Sequence, residues 1–305
     1  MSPIAETIPP TEARHPRTAD LDLLPTEAML RLINAEEAGA AEAVAVALPA
    51  IARVVEAVAG ALAGGGRLIY VGAGTSGRMA AMDAAECPPT FGVPATTVTA
   101  VVAGGREALS RSSEGAEDDE SAGSRDLEAA GVRPGDVVVG VAASGRTPYT
   151  LGALRRAREL GCRTAAVVNN PGTPLATAAD IAVEVLTGPE ALTGSTRMKA
   201  GTAQKMVLNL ISTGAMVRLG RTYSNLMLGV QATNAKLVRR IARQVAEAVG
   251  RPSVGPAEAE GLLEEAGGDA FVAVIIGRKG LKAEEARAAL AAAGGSLRRA
   301  LGEKP

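Results

Sequence analysis

Leu68-Ile69-Tyr70-Val71-Gly72-Ala73-Gly74-Thr75-Ser76-Gly77-Arg78 sets a short, wholly apolar run directly against a glycine-rich, hydroxyl-bearing turn. An apolar run without polar alternation reads as a strand buried on both faces, and such strands belong to parallel sheets covered by helices. The turn matches G-x-G-x-x-G, in which glycines let the backbone approach a phosphate and the next helix offers unpaired N–H groups. Taken alone, the match is also what an ordinary strand-to-helix turn gives. A dinucleotide site would place an Asp or Glu at the end of the next strand, about 20 residues on. The run Thr96 to Val102 ends instead in Ala103-Gly104-Gly105, which argues against NAD. Thr75 and Ser76 add the hydroxyl donors that a compact terminal phosphate requires.

Outward from this turn, further β-branched runs at Thr96 to Val102, Val137 to Val141, Thr164 to Val168 and Ile181 to Leu186 alternate with helical stretches. The fold class predicted is α/β, a parallel sheet flanked by helices. Upstream, Met29, Leu30, Ile33, Val44, Val46, Leu48, Ile51, Val54, Val55, Val58 and Leu62 recur at helical spacing and predict two helices, stopped by Gly64 to Gly66. Ser113 to Asp126 reads as an acidic surface loop or helix start, Lys199 to Leu219 as a long helix, and about Asn234 to Val249 as another. Glycine and proline around Gly250 to Pro256 mark a boundary. The organisation expected is an extended arm over residues 1–22, a main domain over 23–250 and a small helical domain over 251–305. In the last, Phe271 to Ile276 has strand-like branching but sits in an alanine-rich helical pattern, and helix is expected.

Composition narrows the chemistry. The 305 residues can bury a substantial core without disulfides, and two cysteines are too few for a disulfide framework or a zinc cluster. A net charge of -1, three Tyr, two Phe and no Trp leave neither a cationic surface nor stacking platforms for nucleic acid. No apolar stretch reaches about 18 uncharged residues and the N-terminus has no hydrophobic signal core, so a soluble cytoplasmic protein without a membrane partner is expected. The single histidine, His15, is far in sequence from any Ser or Cys motif. Chemistry is therefore left to carboxylates, hydroxyls, lysine and backbone groups.

Two more hydroxyl clusters repeat the first. Ala142-Ala143-Ser144-Gly145-Arg146-Thr147-Pro148 ends a predicted strand and opens a helix, and Thr193-Gly194-Ser195-Thr196-Arg197-Met198-Lys199 precedes the long helix. Loops at the carboxyl ends of parallel strands converge on one crevice, which suggests a sugar-phosphate site. Glu86, beside Pro88 and Pro89, is read near the stop of the helix that the first loop opens. A glutamate there is commonly a solvated helix end; enclosed, it would be an acid with a raised pKa. Glu114-Gly115-Ala116-Glu117-Asp118-Asp119-Glu120 reads from residues alone as a solvated acidic face. Cys87 has no histidine at hand to activate it and reads as structural.

Gly72 to Arg78, Asp83 to Gly92, Glu114 to Asp118, Ala143 to Tyr149 and Thr193 to Lys205 together resemble the N-acetylmuramic acid 6-phosphate etherase family, within the sugar isomerase (SIS) domain superfamily. The resemblance runs from Thr11-Glu12 to the C-terminus, through Asn225-Leu226-Met227 and Ala232-Thr233-Asn234-Lys236, and is less sharp after about Pro252. His15 stands where the family more often has Asn, and Ala85 where Ser is common.

The resemblance implies cleavage of the D-lactyl ether of N-acetylmuramic acid 6-phosphate, in amino sugar metabolism. It assigns Glu86 as the acid that protonates lactate and later activates water, and Glu117 as the base that takes the C2 proton. Thr75, Ser76, Ser144, Gly145, Arg146 and Thr147, with Ser195, Thr196 and Lys199, would hold the phosphate and substrate. It implies no metal and no other cofactor, a homodimer, an SIS domain over residues 23–250 and a UBA-like helical bundle after it. A phosphosugar-sensing regulator of the same superfamily and an aldose–ketose isomerase are the competing readings. Such regulators resemble two domains in tandem, and an isomerase would not account for Glu86 and Glu117 together.

Overall fold

The computed structural model describes residues 8–111, 113, 115–230, 235–251 and 253–303. Chain contacts divide the described residues into two compact units, one from those up to Ala85 and from Thr96–Ser212, the other from Glu86–Ala95 and those from Thr213 on. The elements of the first, in chain order, are α1 (Thr26–Ala63), β1 (Leu68–Gly72), α2 (Gly74–Phe91), β2 (Val98–Val102), α3 (Glu120–Ala129), β3 (Val137–Val141), α4 (Pro148–Glu159), β4 (Arg163–Val168), α5 (Pro174–Ala178), β5 (Ile181–Glu184) and α6 (Lys199–Arg218). Helices α2 and α6 continue past this unit into the second.

All five strands pair in parallel, in the order β2-β1-β3-β4-β5. The chain steps one way from β1 to β2 and the other way from β3 to β5, so the order reverses between β1 and β3. Open α/β sheets bind ligands outside the carboxyl ends of strands at such a reversal. Strands β1 and β3 are buried along their whole length, as unbroken apolar runs require. On one face Ile69, Val71 and Val138 pack with Leu127 of α3 and Leu151 and Leu154 of α4. On the other, Tyr70 donates from its hydroxyl to Asp83 Oδ2 of α2 at 3.0 Å. Burial pushes the Asp83 carboxyl up, against the hydrogen bonds from Tyr70 and Ser212.

Where the sequence predicts two leading helices, α1 is one helix of 38 residues running through Pro49. Ala40, Val44, Ala47, Ile51, Val54 and Val58 form one continuous buried stripe on it, and α1 packs on β5, β1 and β3. Pro49 lies off that stripe, and packing outweighs the ~3 kcal/mol that an interior proline costs. Val46 and Leu48, expected among the inward residues, are 83% and 46% exposed. By length and composition alone α1 would also pass as a membrane span. It carries Arg53 and Glu56, and its buried stripe faces the sheet.

In the second unit α7 (Ala235–Val249), α8 (Pro256–Glu265), α9 (Ala270–Lys279), α10 (Ala283–Ala292) and α11 (Leu297–Leu301) enclose a core that includes Ile241, Val245, Leu263, Val272, Ile275 and Leu297. The Phe271 to Ile276 run is helical, within α9. Helix α9 is buried all round, so its β-branched residues reflect burial rather than strand. The motif residues Ala232, Thr233 and Asn234 and the Lys236 side chain lie outside the described residues, as does Glu114.

Candidate active site

The candidate loops begin where the sheet order reverses. Gly72 pairs in register with Val141, so Ala73–Ser76 and Ala142–Thr147 leave adjacent strand ends side by side. Gly74 starts α2 at φ +53°, a conformation that glycine adopts freely. Gly77 lies so close to β1 that a Cβ there would stand 2.7 Å from Gly72 O. The first intrahelical bond of α2 runs from Gly77 N–H to Ala73 O, which leaves the N–H groups of Gly74, Thr75 and Ser76 ahead of it without intrahelical acceptors. In the second loop Gly145 has φ +63°, and its Cα packs so tightly on Thr173 that a Cβ would lie 2.3 Å from Thr173 Oγ1. Arg146 N–H donates to Ser144 Oγ at 3.2 Å, and α4 opens with Pro148. Thr75, Ser144 and Thr147 are half-buried and Arg146 is exposed.

The third loop meets the first. Gly201, in the first turn of α6, packs where a Cβ would lie 3.6 Å from Thr75 Cγ2, and its N–H donates to Thr196 O at 2.9 Å. A buried polar chain ties the same elements together. Ser76 Oγ donates to Gln204 Oε1 at 2.8 Å, Gln204 Nε2 donates to Asn169 Oδ1 at 2.9 Å, and Asn169 N–H donates to Ala143 O at 3.0 Å. Gln204 and Asn169 carry no chemical signature of their own, and both bonds join residues far apart in sequence.

Lys199, expected to hold the phosphate and substrate, is engaged elsewhere. Lys199 Nζ reaches Glu36 Oε2 of α1 at 3.3 Å, and both side chains are buried. Its ammonium is thus committed to an internal ion pair. The α6 N-terminus is also filled, because Glu190 accepts from the N–H groups of Lys199 and Ala200, each at 2.9 Å. Gly201 and Thr202 donate to Thr196 O and Met198 O, so the first turn of α6 has its donors satisfied. Burial pushes the Glu190 carboxyl up, against the pull of those two N–H groups. Glu190 is the functional neighbour that sequence reading missed. The N–H groups without intrahelical acceptors that face the first loop belong to α2, whereas α4 opens on Pro148, which has none to offer.

Glu117 lies exposed in a short 3-10 turn, Ala116–Asp118, that packs on α4, with the half-buried Ala116 against the edge of the core. The following α3 is capped by Asp119, whose Oδ1 accepts from Ala122 N–H at 2.8 Å. Helices α3 and α4 touch backbone to backbone. A Cβ on Gly123 would lie 1.9 Å from Tyr149 O, and one on Gly152 would lie 2.1 Å from Glu120 O. This contact fixes the Glu117 turn against the helix that the Ser144–Thr147 loop opens. Tyr149 also donates to Asp126 Oδ2 at 2.7 Å, and burial together with that carboxylate raises the phenol far above its ordinary range.

Glu86 is exposed on α2 and belongs to the second unit. Its helix does not stop at the prolines: α2 continues through Pro88 and Pro89 to Phe91 and ends at Gly92, φ +64°. Pro88 still accepts, taking Gly92 N–H on its carbonyl at 3.0 Å. Cys87 is buried. Among the described residues no three His, Cys, Asp or Glu side chains are grouped as metal ligands.

Family models match two overlapping parts of the chain: the glucokinase regulatory protein N-terminal SIS domain over residues 50–158, and the SIS domain over 113–213. The phosphoheptose isomerase structure from Francisella tularensis aligns at 17% identity and a TM-score of 0.46, over 63% of this chain and 98% of that one. N-acetylmuramic acid 6-phosphate etherase of Salmonella choleraesuis is 54% identical over 291 residues, which is 95% of this chain and 97% of the relative. The etherase of Cronobacter sakazakii is 55% identical over the same shares. Identity at this level along nearly the whole of both chains decides the matter: the chain belongs to the N-acetylmuramic acid 6-phosphate etherase family.

Proposed function

We propose that this protein is a carbon–oxygen lyase that converts N-acetylmuramic acid 6-phosphate and water to N-acetylglucosamine 6-phosphate and D-lactate. The observation that carries this reading is 54% identity to a curated etherase over 95% of the chain. The loops at the sheet reversal support it, since open N–H groups and hydroxyls suit a single phosphate.

The phosphate serves as a handle that orients the reacting carbons. Ring opening places an aldehyde next to C2 and makes its proton removable. Glu117 takes that proton, the C3–O bond breaks, and Glu86 gives a proton to the departing lactate oxygen. Water then adds at C3 of the unsaturated aldehyde as the Glu86 carboxylate takes a proton from it, Glu117 returns a proton to C2, and the ring closes. Two carboxylates in opposite protonation states are enough for both halves. Thr75, Ser144, Gly145, Arg146 and Thr147 bind the phosphate end, with Ser76, Ser195 and Thr196 shaping the loops behind them. In this reading the enzyme acts in the cytoplasm as a homodimer, which light scattering on the purified protein tests.

The match to the glucokinase regulatory protein SIS model favours one other reading, a phosphosugar-responsive regulator. One assay separates them: lactate released from N-acetylmuramic acid 6-phosphate by purified protein without added metal or nicotinamide. Phosphosugar binding with no lactate at high enzyme concentration would replace the etherase with the regulator. Solvent deuterium at C2 of the product tests the elimination step, and Glu86→Gln and Glu117→Gln are each expected to lower turnover by ~10²-fold or more.

A further inference from the structure

The stretch from Thr11 to Arg17 meets the substrate loops at three points. At the first, Thr11 N–H donates to Asn170 Oδ1 at 3.2 Å, and Asn170 Nδ2 donates both to Thr11 Oγ1 at 2.8 Å and to Ala143 O at 3.1 Å. Ala143 directly precedes Ser144. At the second, Glu12 Oε2 lies 3.3 Å from where a side chain on Gly194 would begin, one residue before Ser195. At the third, His15 Nε2 reaches Glu36 Oε2 at 2.9 Å, and that same carboxylate holds Lys199 at the start of α6. Arg17 binds the other oxygen of Glu36, and its N–H donates to His15 Nδ1 at 3.2 Å.

Thr11, His15, Glu36, Asn170 and Lys199 are all buried. Burial would raise the Glu36 carboxyl, but the hydrogen bond from Lys199 and the neighbouring His15, Lys199 and Arg17 hold it below its ordinary value. The stretch is also stiff: two 3-10 turns, Pro10–Glu12 and Pro16–Thr18, each open on a proline that fixes φ and reduces the entropy lost on docking. Arg14 and His15 line one side of a depression of about 500 Å³, whose other walls are residues 18–29 and 191–193.

We propose that residues 11–17 form a strap that positions the phosphosugar loops, with Thr11 and His15 as its fastenings and Asn170 and Glu36 as the posts they fasten to. None of these four touches the reacting atoms. Asn170 fixes the backbone entering Ser144, and Glu36 fixes the residue leaving the Ser195–Thr196 turn. The strap rests on the reading of those loops as the phosphosugar site.

The test uses Thr11→Val and His15→Ala in the full chain, Thr11→Ser as the conservative rescue, and Arg31→Ala as a surface control. Trypsin cleavage after the exposed Arg14 and Arg17, followed by intact mass, reads strap release. Calorimetry with N-acetylglucosamine 6-phosphate reads binding, and lactate release reads KM and kcat. Thr11→Val and His15→Ala are expected to speed cleavage, and to weaken binding and raise KM roughly tenfold, with kcat changed less. Thr11→Ser and Arg31→Ala stay near wild type. Faster cleavage with unchanged binding and KM overturns the strap, and so does unchanged cleavage. A wild-type protein that binds the sugar phosphate in a strap-dependent way but releases no lactate refutes the lyase and leaves the strap standing. No binding at all refutes both.

Discussion

The backbone contact between α3 and α4 sets a sharp test of how the Glu117 turn is held. Gly152→Ala and Gly60→Ala are the same substitution in two helices, and by helix propensity alone each should stabilise by ~1 kcal/mol. Gly60 has nothing within 4 Å of a new Cβ, so it is expected to show that gain. At Gly152 the Cβ would lie 2.1 Å from Glu120 O, a carbonyl with no rotamer to escape into. Restoring an ordinary contact of ~3.5 Å moves the start of α3 by about 1.4 Å. Overpacking of that kind costs ~1–3 kcal/mol, which exceeds the propensity gain. Because Glu120 is three residues after Glu117, the displacement reaches the proposed base, and about 1 Å of misplacement lowers turnover by ~10²-fold. Urea unfolding and lactate-release kinetics on both variants check this. The reasoning fails if Gly152→Ala is stabilised as Gly60→Ala is, or if it loses stability and keeps wild-type kcat.

Other outcomes follow from buried charges. Asp136 has its side chain fully buried, accepting from the N–H groups of Arg67 and Arg133 and pairing with the Arg67 guanidinium at 2.6 Å. Asp136→Asn removes the buried counter-charge and leaves the Arg67 guanidinium only the carbonyls of Ala130 and Gly131; it is expected to cost ~3 kcal/mol in urea unfolding, so a loss under 1 kcal/mol would contradict the burial argument. Glu36 has a folded-state pKa below its unfolded value, so it contributes stability that is fully present above the unfolded value of 4.5 and lost as pH falls through the lowered one. Glu36→Gln should flatten the acid side of the Tm–pH profile, and an unchanged slope there would show that its charge is not stabilising. Burial, then the nearby Asp136 charge, push the Cys162 thiol up, so native protein should resist alkylation at neutral pH until unfolded. Rapid stoichiometric labelling at Cys162 would contradict that.

The sheet was readable because β1, β3 and β4 are buried on both faces, and unbroken apolar runs such as Leu68 to Val71 follow from that burial. The glycine turns were readable because each needs a backbone that other residues resist, as Gly74 and Gly145 do at positive φ. Two helices are expected where α1 is one: apolar spacing alone does not show that the segments join, and only the sheet-facing stripe from Ala40 to Val58 shows why the helix runs unbroken through Pro49. Lys199 looked like a free cation because Glu36 lies 163 residues away. Glu190 could not be picked out at all. A carboxylate that caps a helix nine residues downstream leaves no pattern, since the intervening turn rather than a fixed spacing brings it there.

That buried carboxylate also divides the molecule's response to salt. In the proposed reading the substrate phosphate reaches the N-terminus of α2 from solvent, so its attraction weakens as ions screen it over a Debye length of ~10 Å at 0.1 M. The Glu190 carboxyl at α6 is covalently part of the chain and buried, so dissolved ions neither displace nor dilute it. Rising ionic strength should therefore loosen the hold on the proposed ligand well before it loosens the frame that receives it.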